Sequence, residues 1–258
     1  TIKALELGAV DFVAKTAGPI STVTGISAEL LAKCRAAAKA NVGQIKKIPL
    51  KFSGPVNYQE IKPVSTAGEE KVVAIGTSTG GPKALQEVIS RLPGNLPCGV
   101  VIVQHMPAGF TKSLSERLNS LSALTVKEAE HNDVIRAGQV YIAPGDYHML
   151  IDREGSRKVI KLNQKPPVGG HRPAVDPMFE SVVRVFGSKT IGVILTGMGH
   201  DGTYGFELMK QHNAYTIAED QSTAVVYGMP KSAIEKGLVD KVAPLSSIAF
   251  EIVKAVNK

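Results

Sequence analysis

Apolar residues along this chain fall into short unbroken runs separated by stretches of helical spacing. Val72–Gly76, Val100–Gln104, Ile191–Leu195 and Tyr215–Ala218 are such runs, rich in β-branched side chains, as expected of strands buried on both faces. Between and beyond them the spacing predicts helices over about Pro82–Arg91, Ala108–Leu121, Asp176–Phe186 and Thr203–Gln211, with more near the C-terminus. Strands alternating with helices predict an α/β fold: a doubly wound, mostly parallel sheet with helices on both faces. The stretch Ser122–Asn163 breaks the alternation. There Val140–Ala143 and His148–Ile151 flank Pro144-Gly145-Asp146, which predicts an attached antiparallel hairpin.

Upstream the pattern changes twice. Thr1–Lys15 reads as the end of a helix, a stop at Gly8 and a short strand, so the chain is expected to begin inside a domain. Leu30, Leu31 and Cys34 at helical spacing predict a helix over Ile26–Ala40. From 41 to 69 the chain is polar, carries Pro49, Gly54, Pro55, Pro63 and Gly68, and has little periodicity, as a linker does. The expected division is 1–40, a linker over 41–69, and a large domain over 70–258.

Composition narrows the classes of function. With 258 residues, 43% hydrophobic and 21% charged, the chain can bury a sizeable core. No apolar run approaches the roughly 20 residues of a membrane span, and the first residues lack a secretory signal. Membrane insertion is not expected. Cys34 and Cys98 are too few and too far apart for a disulfide framework, so a reducing cytoplasm is the default. The net charge of +7 invites a nucleic-acid reading, but Lys and Arg are dispersed with few aromatics among them, so no nucleic-acid partner is expected.

The chemistry-bearing residues stand where predicted strands end. The first strand of the large domain runs into Gly76-Thr-Ser-Thr-Gly-Gly81 and then a helix. This is the Gly-x-Ser-x-Gly turn that exposes a serine hydroxyl beside a helix N-terminus, making Ser78 a candidate nucleophile. A phosphate cradle and a plain tight turn are the rival readings. A Walker loop fails because Gly81-Pro82-Lys83-Ala84 stands where Gly-Lys-Ser/Thr is needed, and Ser78 stands where a dinucleotide fingerprint needs glycine. Of six histidines, His105 directly follows the second strand, at the sheet edge where Ser78 is expected. His131 and His212 read as solvated, His148 as part of a hairpin, and His171 as a loop residue lining a substrate groove. Asp201, in Thr196-Gly-Met-Gly-His-Asp-Gly202, can orient His105 or cap the helix expected from Thr203. The amide of Met198, on the same loop, can face the reacting carbon. His200 beside Asp201 has no companion ligand set, so no metal site is expected.

Ser78 in Gly-Thr-Ser-Thr-Gly-Gly-Pro, His105 in Val-Gln-His-Met-Pro and Asp201 in Thr-Gly-Met-Gly-His-Asp-Gly together resemble the chemotaxis protein-glutamate methylesterase family. Tyr141-Ile-Ala-Pro-Gly145 with His148, and Gly170-His-Arg-Pro-Ala-Val-Asp176, extend the likeness over residues 70–258. The resemblance implies a serine hydrolase with a Ser78–His105–Asp201 triad. Its oxyanion would be held by the amides of Thr79 and Met198, with His171 and Arg172 in the substrate groove and no cofactor. The implied substrates are glutamate methyl esters on the cytoplasmic helices of chemoreceptors, with deamidation of receptor glutamines as a second activity. Residues 1–40 resemble the end of a response-regulator receiver domain. Lys15 is at the position of its phosphoryl-contacting lysine and Thr16 stands where such receivers carry proline. A complete receiver implies a chemotaxis histidine kinase as partner; without most of it, the chain is expected to lack phosphorylation control. The alternative from another class is a non-catalytic nucleotide or phosphopeptide binding module using the Gly76–Gly81 loop.

Overall fold

Runs of Val and Ile with no polar interruption stabilise only if both faces of the strand are covered. The computed structural model, which describes residues 1–14, 23–40, 43 and 71–258, covers them by stacking helices on each side of one sheet. In chain order the elements are α1 (Ile2–Glu6), α2 (Val23–Lys39), β1 (Val72–Thr77), α3 (Gly81–Ile89), β2 (Gly99–Gln104), α4 (Phe110–Asn119), β3 (Thr125–Glu128) and β4 (Gln139–Ile142). They continue with β5 (His148–Glu154), β6 (Arg157–Asn163), α5 (Val175–Phe186), β7 (Thr190–Ile194), α6 (Thr203–Gln211), β8 (Tyr215–Glu219), α7 (Met229–Glu235), β9 (Lys241–Ala243) and α8 (Leu245–Val256).

Seven strands form a sheet in the order β3-β4-β2-β1-β7-β8-β9, every pair parallel. Alternation along β1 divides the core: Val73 and Ile75 join one apolar layer with α3, α4 and α8, while Val72 and Ala74 join the other with α5, α6 and α7. This is the period-two geometry of a strand serving two faces at once. The connections leave the centre in opposite directions, β1 to β2 on one side and β7 to β8 and β9 on the other. The sheet therefore has a switch point at its C-terminal edge, the usual place for a site in a doubly wound fold.

Two expectations are corrected. Val140–Ala143 is not an arm of the hairpin: β4 lies in the parallel sheet, paired with β2 and β3. The antiparallel pair is β5 with β6, in register from His148–Asn163 to Glu154–Arg157, and Met149, Ile151 and Ile160 pack it onto the α5 side of the core. A short apolar run does not specify its partner; covering α4 and β2 decided it. The strand expected after Gly8 is also absent, since residues 9–14 carry no strand. A strand needs neighbours to receive its hydrogen bonds, and none is paired with this segment among the described residues. It instead reaches the large domain, where Phe12 meets Phe110 with ring centroids 4.6 Å apart and the Thr79 hydroxyl donates to Asp11. Lys15, Thr16 and the span read as a linker, apart from residue 43, lie outside the described residues. No helix among the described residues is long and apolar enough to cross a membrane.

Candidate active site

Three strand ends converge at the switch point, and backbone hydrogen bonds tie them together. The Ser78 amide, after β1, donates to Thr196 O after β7 (3.0 Å), and the His105 amide, after β2, donates to Thr77 O (3.1 Å). The Gln104 carboxamide Nε2 donates to both Ser78 O and His105 O, each at 3.0 Å. Gly80, at φ 82°, makes the left-handed turn into α3, which leaves the Ser78 side chain at the mouth of the site with 8% of its surface exposed.

On this frame the three predicted side chains form one relay. His105 Nδ1 is 3.2 Å from Ser78 Oγ, and His105 Nε2 is 2.7 Å from Asp201 Oδ2. Burial pushes the Asp201 carboxyl up, but the hydrogen bond and charge of His105, with the amides of Val175 and Asp176, outweigh it and hold the group below 3.8. An ionised carboxylate only accepts, so Nε2 carries the proton and donates to Asp201. Nδ1 is then left bare to accept the Ser78 hydroxyl proton, which is the tautomer a general base needs.

The remaining candidates separate by geometry. The Thr79 amide follows Ser78 directly and the Met198 amide follows Gly197, which lies against Ser78 Cβ; neither donates to an acceptor among the described residues, leaving both available to an anion. His171 stacks on His105, ring centroids 3.8 Å apart and 13° from parallel. Arg172 is engaged within the protein: Nε and Nη2 donate to Asp146 Oδ1, and Nη1 to the Gln164 and Lys165 carbonyls, so the guanidinium braces the loop that carries His171. Exposed His131 accepts from the Leu162 amide, and exposed His212 donates to Leu208 O. His148, buried in β5, donates to Pro166 O, and His200 is exposed.

Asp201 does cap a helix, but not the one expected. The residue before α6 is Gly202, whereas Asp201 Oδ2 and Oδ1 accept the Val175 and Asp176 amides at 2.7 and 2.9 Å, closing the start of α5.

Sequence reasoning missed the supports of this site. Thr196 is the centre of one: its carbonyl accepts the Thr77 hydroxyl (2.9 Å), its hydroxyl donates to Thr79 O (2.9 Å), and its amide donates to Glu219 Oε2 (2.8 Å). A glutamate ending an apolar strand was the signal. Glu219 is fully buried, and burial pushes its carboxyl up to about 7 against the opposing Thr196 amide and Thr223 hydroxyl. Because the folded value lies above 4.5, the stabilisation from this group is complete below about pH 4.5 and is lost as pH rises through about 7. Glu219→Gln keeps an acceptor for Thr196 and cannot ionise. Its urea midpoint should match wild type near pH 4 and exceed it at pH 8; equal midpoints at both values would contradict the assignment.

Comparison with known proteins gives a consistent neighbourhood. A family model described as CheB methylesterase matches residues 73–252. A Symbiobacterium thermophilum protein named protein-glutamate methylesterase/protein-glutamine glutaminase is 49% identical across the whole chain, which covers 73% of that relative. One of the same name from Geobacillus kaustophilus is 45% identical, again across the whole chain and 74% of the relative. The crystal structure of the Thermotoga maritima CheB methylesterase catalytic domain matches with a TM-score of 0.71 at 47% identity, over 72% of this chain and 98% of that one.

Proposed function

The chain belongs to the CheB methylesterase family, and from that premise we propose that Ser78, His105 and Asp201 are its triad for hydrolysing receptor glutamate methyl esters. The protein is a protein-glutamate methylesterase of chemotaxis with protein-glutamine glutaminase activity. The observation that carries the triad is the relay of 3.2 Å from Ser78 Oγ to His105 Nδ1 and 2.7 Å from Nε2 to Asp201.

Nδ1 takes the hydroxyl proton as Oγ attacks the ester carbonyl carbon, and Asp201 holds the resulting imidazolium. The Thr79 and Met198 amides donate to the oxyanion beside the largely buried Ser78 and His105 side chains, where such bonds are stronger than in water. Collapse breaks the bond to the methoxy oxygen, methanol leaves with the proton from Nδ1, and the glutamyl group stays on Ser78. Water, deprotonated by the same nitrogen, then attacks the acyl carbon; the acyl–Oγ bond breaks, Ser78 Oγ takes the proton back from Nδ1, and the receptor glutamate is released. A glutamine side chain follows the same path and expels ammonia. His171 lines the groove by its stack on His105, and the chemistry needs no metal or organic cofactor.

The anion-cradle alternative for Gly76–Gly81 is not favoured, since the relatives carry names of hydrolytic enzymes. In the favoured reading residues 1–40 are the end of a receiver, 41–69 a linker and 70–258 the catalytic domain. A chemotaxis histidine kinase acts through the full-length receiver. Contacts of Asp11 and Phe12 with Thr79 and Phe110 support a receiver lying over the catalytic face. A cytoplasmic location suits the free thiols, Cys34 exposed and Cys98 buried. The direct test is methanol release from methylated receptor: the protein should release it catalytically, and a methyl-ester content that stays constant over hours would overturn the reading.

A further inference from the structure

Neither α5 nor α6 supplies its own N-terminal cap. The capping positions are Ala174 and Gly202, and neither makes a side-chain bond to its helix, although the first amides of a helix need acceptors. Each helix is closed by an aspartate from the other's neighbourhood. Asp201, just ahead of α6, accepts the Val175 and Asp176 amides of α5, and Asp176, in the first turn of α5, accepts the Gly205 amide of α6 at 2.8 Å through Oδ1. This crossed pair is the junction on which the carboxylate facing His105 is mounted.

We propose that Asp176 is a positioning residue for ester hydrolysis, acting through Asp201: the two carboxyls form one unit that locks α5 to α6 and aims Asp201 at His105 Nε2. The inference rests on the triad reading above. Two roles are combined in it. Geometrically, Asp176 fixes the start of α6 against α5, so the loop carrying Asp201 cannot drift. Electrostatically, the Asp176 carboxyl is raised to about 6, by burial first and by the neighbouring Asp201 charge. Once ionised, above that value, it adds negative potential behind the imidazole, favouring the imidazolium that forms during attack.

The charged groups around it are few. Asp201 faces it from the loop before α6, with His105 at the end of β2 beyond. On its own helix Glu180 is exposed and pairs with Arg184; on α6, Glu207 is exposed. β5, which runs along α5, has His148 on the Pro166 carbonyl towards this end and Asp152, Arg153 and Glu154 towards the other.

The test uses the full chain and methylated receptor, with kcat and KM followed across pH 5–9 for Asp176→Asn, Asp176→Ala and Ser78→Ala. Asp176→Asn keeps an acceptor for Gly205 and removes the second charge. It should lower kcat by about tenfold, the factor carried by one pKa unit of lost imidazolium stabilisation. KM should be little changed and the acidic limb of the pH profile should move to lower pH. Asp176→Ala also frees the junction and should lower kcat by on the order of 10²-fold, with asparagine restoring part of the loss. A merely structural cap would lower the melting temperature while leaving kcat per folded molecule and the pH limb as in wild type. That result for Asp176→Asn overturns the inference, and Asp176→Asn carries the test alone if the alanine variant does not fold. Activity surviving in Ser78→Ala would instead defeat the triad reading itself, so the two failures are distinguishable.

Discussion

Ser78→Ala is expected to lower kcat for methylated receptor by about 10⁴- to 10⁶-fold, with receptor binding and thermal stability unchanged. The separation of activity from stability follows from what Ser78 contributes to the fold. All its bonds to the framework are made by the main chain: its amide to Thr196 O, and its carbonyl to the Gly81 amide and Gln104 Nε2. Alanine keeps every one of them. Only Oγ, 3.2 Å from His105 Nδ1, is removed, and with it the covalent path through a glutamyl-enzyme. A residual rate would remain from the Thr79 and Met198 amides acting on an ester attacked by water. Single-turnover methanol release together with a thermal melt checks both halves. Wild-type ester hydrolysis in this variant would end the assignment of the nucleophile.

Asp201→Asn is expected to lower kcat by on the order of 10⁴-fold and, unlike the serine change, to cost about 1–2 kcal/mol of stability. Asp201 meets three donors with two oxygens: His105 Nε2–H and the Val175 amide at Oδ2, and the Asp176 amide at Oδ1. Asparagine offers one acceptor and one NH₂. If the NH₂ faces α5, a helix amide loses its acceptor. If it faces the histidine, the proton must move to Nδ1, and the base can no longer accept from Ser78. Because the folded carboxyl is held below 3.8, its stabilisation is present above about pH 4 and is lost as pH falls further. The variant should therefore unfold more easily than wild type at pH 7, with the gap narrowing in acid. Loss of stability with kcat retained would leave Asp201 as a cap alone. Loss of activity without loss of stability would contradict the cap.

The relation of sequence to site depends on how far apart in the chain the causes lie. Ser78 was legible because its setting is local: an apolar strand, a glycine-flanked turn and a helix start occupy adjacent residues. His105 was legible as the first polar residue past a buried strand. Asp201 was identified, but its helix was not, since the amides it meets belong to residues 25 and 26 positions away. Arg172 sat in the right motif, yet its bonds to Asp146 and to the 164 and 165 carbonyls depend on where two loops meet. The roles of Gln104, Thr196 and Asp176 were likewise invisible, because each is a hydrogen bond between segments with no common periodicity; for Glu219 the one local signal was a glutamate ending an apolar strand.

By itself, the sequence determined the α/β alternation, the buried strands and which residue types end them, because side-chain periodicity and turn chemistry act over a few neighbouring positions. Tertiary structure alone decided that β4 joins the parallel sheet, that residues 9–14 form no strand, and that the imidazole presents Nδ1 to the serine and Nε2 to the carboxylate. It also decided that two aspartates cap each other's helices. These outcomes come from competition among distant segments for the same hydrogen-bond partners and the same apolar cover. No local pattern encodes who wins that competition; the packed fold does.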